Sequence, residues 1–161
     1  MKRVIYIIMF TIVGLLSCTK EKSYLYQVNN VNVTQPGGNK QNVKSTEEFI
    51  SIAYSDLFGT TISQQELINL TQAYNSFGDL KLIEDMIIRN FLNTNGIVIP
   101  SGATMRSDIN GFVSSSYQKF LNRTPNAYEK WFVSNVIQSD TSISPVLVYY
   151  SFMTSNEYMY Y

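Results

Sequence analysis

Helix-start signals repeat along this chain, and they constrain its fold more than any other feature of the sequence. They are the capping-box spacings Ser45-Thr46-Glu47-Glu48 and Ser63-Gln64-Gln65-Glu66, and the cap-proline pairs Thr124-Pro125 and Ser144-Pro145. Apolar residues recur at helical spacing after each signal, as they do from Phe49 to Phe58. The pattern predicts an all-α fold from residue 45 onward.

The positions of caps, glycines and apolar stripes divide this region into six predicted helices. Their ranges are 45–58, 63–77, 79 or 80 to about 94, about 108–122, a helix capped by Thr124, and a central apolar helix around 146–155. The apolar segment Ile97-Val98-Ile99-Pro100 is short and ends at a proline, so it predicts a buried connector.

The second half of the region repeats the first with an offset of 63 residues. Phe49-Ile50-Ser51 aligns with Phe112-Val113-Ser114, and Tyr54, Thr61 and Glu66 align with Tyr117, Thr124 and Glu129. Units this small bury little apolar surface singly. The sequence therefore predicts two related three-helix units, about 45–96 and 108–161, packed into one helical bundle.

The first residues have the composition of a secretory signal. Lys2 and Arg3 precede the apolar segment 4–16, which is too short for a membrane-spanning helix. The segment ends in Leu15-Leu16-Ser17-Cys18, which resembles the lipobox of bacterial lipoproteins. Leu16 is bulkier than the usual small residue, as is common in similar signals from Bacteroidetes. The resemblance implies that residues 1–17 are removed, that Cys18 is lipidated, and that the protein is anchored to the outer membrane.

Residues 18–44 are predicted to be a flexible tether before the helical domain 45–161. The tether is polar, contains Pro36-Gly37-Gly38, and has no sustained apolar period. Four lysines and one glutamate fall in it, whereas the domain carries six basic and eleven acidic residues. An acidic domain argues against nucleic acid as a partner, because such binding needs a clustered basic face.

The residues that most enzymes use are scarce in this chain. Histidine is absent, Cys18 is the sole cysteine, and no glycine-rich phosphate loop is present. We therefore expect no zinc site, cofactor, nucleophilic triad or small-molecule substrate, and no enzymatic activity, although catalysis by carboxylates alone remains conceivable. The acidic pairs Glu47-Glu48 and Glu84-Asp85 are interpreted as a helix cap and a solvated helix face.

The second unit is similar to the small helical module of phycobilisome linkers and of a related domain in bacterial surface proteins. The matching residues are Phe112-Val113, Tyr117, Leu121, Arg123, Pro125, Glu129, Trp131, Phe152, Ser155 and Glu157-Tyr158. The first unit matches weakly, since Gly59-Thr60 replaces the Asn122-Arg123 pair. The resemblance implies an interaction or scaffold role, and it transfers no active site.

Two groups of residues are candidates for a binding surface. The chain ends in an aromatic segment that contains Tyr158, Tyr160 and Tyr161. These tyrosines, with Arg123, form a candidate partner interface, but docking onto the protein's own core and a structural ion pair remain equal alternatives. Trp131 and its aromatic neighbours are predicted to be core residues rather than a sugar-stacking platform.

The leading hypothesis is a non-enzymatic accessory or scaffold lipoprotein of a cell-envelope protein complex. The alternative from another class is a glycan-binding outer-membrane lipoprotein. Surface-exported lipoproteins of Bacteroidetes resemble one another in having an acidic cluster after the cysteine, and Thr19-Lys20-Glu21-Lys22 matches it poorly. We therefore expect the domain on the periplasmic side of the outer membrane.

Overall fold

The computed structural model describes residues 40–161, and the fold of this part is all-α. Its seven α-helices are α1 (Thr46–Phe58), α2 (Gln64–Ser76), α3 (Leu80–Leu92), α4 (Gly102–Ser107), α5 (Ile109–Leu121), α6 (Ala127–Ser139) and α7 (Pro145–Met153). A 3-10 helix, η1, follows at Asn156–Met159. The predicted signal segment, Cys18 and the tether up to residue 39 lie outside the described residues.

Side-chain caps begin most helices where the sequence predicts them. Ser45 and Glu48 form a reciprocal capping box, in which the Ser45 N–H donates to the Glu48 carboxylate at 2.7 Å. Asp79 caps α3, and Ser144 caps α7 with a proline at its first turn. Gly59 ends α1 at φ +67°, a left-handed conformation that glycine adopts at little cost.

The start of α6 and an additional short helix, α4, differ from the prediction. The N-cap of α6 is Asn126, not Thr124, because Asn126 Oδ1 accepts the Glu129 N–H at 2.9 Å and the Glu129 carboxylate accepts the Asn126 N–H at 2.8 Å. This reciprocal box satisfies two of the N–H groups at the start of α6. The short helix α4 was not predicted, and the hydroxyl of Ser101 caps it.

The core lies where the helices of the first and second halves meet. α2 and α3 pack on α1 and on each other, α6 and α7 pack on α5, and α3 packs on α7. Tyr158 of η1 is fully buried between Phe49 of α1 and Phe120 of α5, with ring centroids 6.3 and 6.2 Å away. These edge-to-face contacts add to the free energy gained from apolar burial.

The first described residues pair with the end of the chain. Val43 and Tyr160 form an antiparallel β-bridge, flanked by hydrogen bonds from Lys44 N to Met159 O (2.9 Å) and from Tyr161 N to Asn42 O (3.0 Å). The predicted tether 18–44 therefore extends too far, because its last residues are held by backbone hydrogen bonds to the helical domain.

Candidate functional site

A groove of about 450 Å³ lies between α6 and α7. Both helices pack on α5, and Tyr117 and Leu121 of α5 contribute to the lining of the groove. This volume is within the range of roughly 300–1,000 Å³ that ligand sites occupy. The groove walls are mostly apolar, and their apolar residues are Tyr117, Leu121, Phe132, Val133, Val136, Ile137, Ile143, Leu147, Val148 and Phe152.

A partly buried ion cluster of Arg123, Glu129 and Glu157 forms the charged part of the groove lining. Arg123 is 8% exposed, and its guanidinium donates to both Glu157 (2.6 and 2.8 Å) and Glu129 (2.8 and 2.9 Å). A further bond to the Thr124 main-chain oxygen at 3.3 Å engages its last donor. Arg123 lowers the pKa of Glu129 through these hydrogen bonds. The arginine is thus committed to its own fold and has no donor free for a partner's carboxylate.

A second arginine anchors the other end of α6. Arg106 of α4 donates to the main-chain oxygens of Ile137 (2.8 Å), Asp140 (3.0 Å) and Ile143 (3.0 Å). These carbonyls belong to the last turn of α6 and the loop that follows, where the helix leaves acceptors unpaired. Hydrogen bonds from the two arginines therefore hold both ends of α6 in place.

An aromatic ridge runs along α6 beside the groove. Tyr128, Trp131 and Phe132 are 69, 60 and 50% exposed, and the Tyr128 ring lies 5.9 and 6.2 Å from the other two. The prediction that Trp131 is a core residue is therefore wrong. Only the side of α6 that faces α5 is covered, and Ile137 is the residue of this helix that is buried. The apolar stripe of α6 is wider than its covered side.

The aromatic tail docks onto the protein's own body. Tyr158 is fully buried and its hydroxyl donates to Asp56 at 2.8 Å, and burial raises the pKa of Tyr158. This placement removes Tyr158 from the candidate partner interface. Tyr160 and Tyr161 keep partly exposed side chains, and the Tyr161 hydroxyl donates to Glu48 at 3.3 Å.

The acidic pair of α3 is not a solvated face. Glu84 is buried and accepts a hydrogen bond from the Tyr74 hydroxyl of α2 at 2.8 Å, with Lys81 Nζ at 3.1 Å. Burial, aided by Glu84, raises the pKa of Tyr74 to about 12. Asp85 pairs with Arg89 instead, at 2.7 Å. The prediction failed for Glu84 because its partner lies on another helix.

Other kinds of site are not seen in the described part. Residues 40–161 contain no cluster of three or more acidic or cysteine side chains placed to hold a metal ion. None of the helices in this range is long and apolar enough to cross a membrane. No protein-family model, curated protein or solved structure matches the chain.

Proposed function

We propose that this protein is a non-enzymatic, lipid-anchored accessory or scaffold lipoprotein of a bacterial cell-envelope complex, and that it works by contacting proteins. The contact surface is the α6 face, which consists of Tyr128, Trp131, Phe132, Val136 and Leu147. The observation that carries the proposal is that these five large apolar residues are all exposed, and that three of them, Phe132, Val136 and Leu147, line the groove. Contiguous exposed apolar patches are typical of interaction sites, whereas single exposed apolar residues are common on any protein surface.

The chemistry of the groove favours binding over catalysis. Its two carboxylates, Glu129 and Glu157, both accept from Arg123, so neither is placed as a free acid or base. The rest of the wall is apolar apart from Ser151 and Ser155. An apolar cleft whose polar groups are already paired suits a partner's apolar side chains.

The scaffold role also fits an internal duplication, which we propose as two three-helix units, α1–α3 and α5–α7. Matching features of the two units stand 63 residues apart in the sequence. These features are the cap residues of the first two helices, the left-handed residue after the first helix, and the main buried residue of the second helix. These pairs are Ser45 and Asp108, Ser63 and Asn126, Gly59 and Asn122, and Tyr74 and Ile137. They support descent of both units from one helical module similar to those of phycobilisome linkers.

Photo-crosslinking in cells tests the protein-contact proposal. A benzophenone amino acid replaces Phe132 in the full chain, and a control replaces Leu82, a residue of α3 with matching exposure (49%). We expect a discrete protein adduct from position 132 and none from position 82. Absence of any adduct at position 132 would contradict the proposal.

The anchor is tested separately. If Cys18 is lipidated, Cys18→Ser should abolish incorporation of a labelled fatty acid and leave unprocessed precursor. A variant that still incorporates label would refute the anchor. Protease added to intact cells should spare the domain if it faces the periplasm, and digestion under those conditions would place it on the cell surface.

A glycan-binding role is the second candidate, and the exposed pair Trp131 and Tyr128 favours it. Aromatic faces that are open to solvent are able to stack on sugar rings. Under this alternative the purified protein is retained by a specific polysaccharide, and Trp131→Ala abolishes the retention. Retention that survives this substitution would exclude the aromatic ridge as a sugar site.

A further inference from the structure

We infer that the partner of the α6 face is a second copy of this chain; this inference rests on the proposed function. The face offers a projecting ridge, led by Trp131, directly beside a groove bordered by Phe132 and Leu147. A two-fold dimer brings the same surface of both copies together, so it needs a projection and a recess on one surface. The α6 face has both.

The charge pattern of this face suits a self-contact. α7 contains no charged residue from Pro145 to Met153. The charged residues of α6, Glu129 and Lys130, lie in its first turn between Tyr128 and Trp131, and none follows from Trp131 to Ser139. Two copies can therefore meet along these uncharged segments. In a two-fold interface, charged residues near the axis would lie opposite their own copies and repel each other. Depletion of charge is also the compositional mark of an interface core.

The exposed apolar residues of α3 do not share this pattern. On α3, Leu80, Leu82 and Met86 are exposed, but Lys81 and the Asp85–Arg89 ion pair lie among them. Self-contact there would bring charges into a dry interface at a desolvation cost. This surface supplies matched controls for the α6 face.

The exposed area is close to what a dimer needs. With roughly 200 Å² for each aromatic side chain, the exposed fractions of Tyr128, Trp131 and Phe132 leave about 360 Å² in water. Val136 and Leu147 bring the apolar total to about 500 Å² per copy. Standard interfaces bury about 800 Å² per partner, of which just over half is apolar. The α6 face thus supplies the apolar share of a standard two-fold interface.

The chain carries its own reporter for this dimer, because Trp131 is its sole tryptophan. Sedimentation equilibrium of the full chain, in density-matched detergent, measures the number of copies as protein concentration rises. We expect a one-copy mass at low concentration and a two-copy mass at high concentration. Tryptophan emission should move to shorter wavelength, and acrylamide quenching should fall, over the same concentration range.

Substitutions then locate the contact. Phe132→Glu should lower the dimer association constant at least tenfold, since it places a charge in the interface, whereas Leu82→Glu should leave it unchanged. The inference is overturned if the wild-type chain remains a single copy at all concentrations, or if both variants weaken the dimer equally. Circular dichroism of each variant verifies that the helical fold is retained.

The two levels of the proposal fail separately. A crosslinked adduct at position 132 that contains a different protein, with a one-copy mass in sedimentation, refutes self-association and leaves the protein-contact function standing. A two-copy mass in vitro without any adduct in cells supports self-association of the purified chain and contradicts the proposed protein contact in cells. Adducts formed between two differently tagged copies support both.

Discussion

Replacement of Arg123 by methionine tests whether the ion cluster at the groove is structural. Methionine keeps much of the apolar stem but removes the four guanidinium hydrogen bonds to Glu129 and Glu157, while Glu129 keeps the hydrogen bond from the Asn126 N–H. The two carboxylates then lose the guanidinium that both of them share, and Lys40 Nζ, 3.9 Å from Glu157, is left as a nearby cation. We expect a large loss of stability, because removing one partner of a buried ion pair strands the others.

The magnitude follows from burial. Breaking a fully buried pair costs about 3–5 kcal/mol. The Arg123 side chain is 6% exposed, but Glu129 and Glu157 keep 22 and 27% of their side-chain surface in water. Partial hydration of the stranded carboxylates places the expected loss near the lower limit, at about 3 kcal/mol.

The pH dependence distinguishes electrostatics from lost packing. Arg123 holds the pKa of Glu129 below its ordinary value of 4.5, so the stability that this pairing contributes is present above that pH and is lost as pH falls. In Arg123→Met this favourable pairing of Glu129 is absent at every pH. The difference in unfolding free energy between the two chains should therefore shrink between about pH 7 and about pH 4.

Urea unfolding of the full chain, followed by far-ultraviolet circular dichroism, measures both quantities. Arg89→Met is the matched control, because Arg89 also pairs with a carboxylate but its side chain is 59% exposed. Its effect on stability should be small, because an ion pair this exposed to solvent contributes little. A loss for Arg123→Met no larger than the control, or one independent of pH, would refute the structural role.

Three further predictions concern other parts of the domain. Each is tested by the free energy of urea unfolding of the full chain. Asn126→Ala should cost about 1 kcal/mol and Thr124→Ala less than half of that, since Asn126 is the N-cap of α6. Ile137→Ala should cost about 2–5 kcal/mol, more than Trp131→Ala, and equal losses would contradict the exposed position of Trp131. Burial lowers the pKa of Lys44 to about 8, so the unfolded chain binds more protons above that pH. The wild-type chain should therefore gain stability relative to Lys44→Met between about pH 8 and pH 10, and a constant difference would refute this.

Local signals predicted the helices well, but they could not predict which side of each helix is covered. Caps such as Ser45 and Asp79 act within one turn, so the sequence contains both the donor and the acceptor. Trp131 follows the same apolar period as a core residue, and its exposure depends on where α7 lies.

Contacts between distant residues set the site itself. Arg123 and Glu157 are 34 positions apart, and Tyr74 and Glu84 lie on different helices. No local pattern joins such pairs. The 63-residue offset pairs Ser63, the N-cap of α2, with Asn126, so the internal repeat indicates the observed cap of α6 where the local Thr124-Pro125 pattern does not.

The proposed duplication gives a physical reason for the groove. In the first unit, α2 and α3 are held together by the hydrogen bond between Tyr74 and Glu84. The 63-residue offset pairs Tyr74 with Ile137, and the 61-residue offset that aligns Phe91 with Phe152 pairs Glu84 with Pro145.

Ile137 and Pro145 cannot make the hydrogen bond that joins the second and third helices of the first unit. The corresponding helices α6 and α7 lack this polar link, and hydrogen bonds from Arg106 and Arg123 hold the position of α6 instead. Under the proposed duplication, the Tyr74–Glu84 pair joins α2 and α3 in one unit, whereas α6 and α7 of the other unit are lined by apolar residues at the groove.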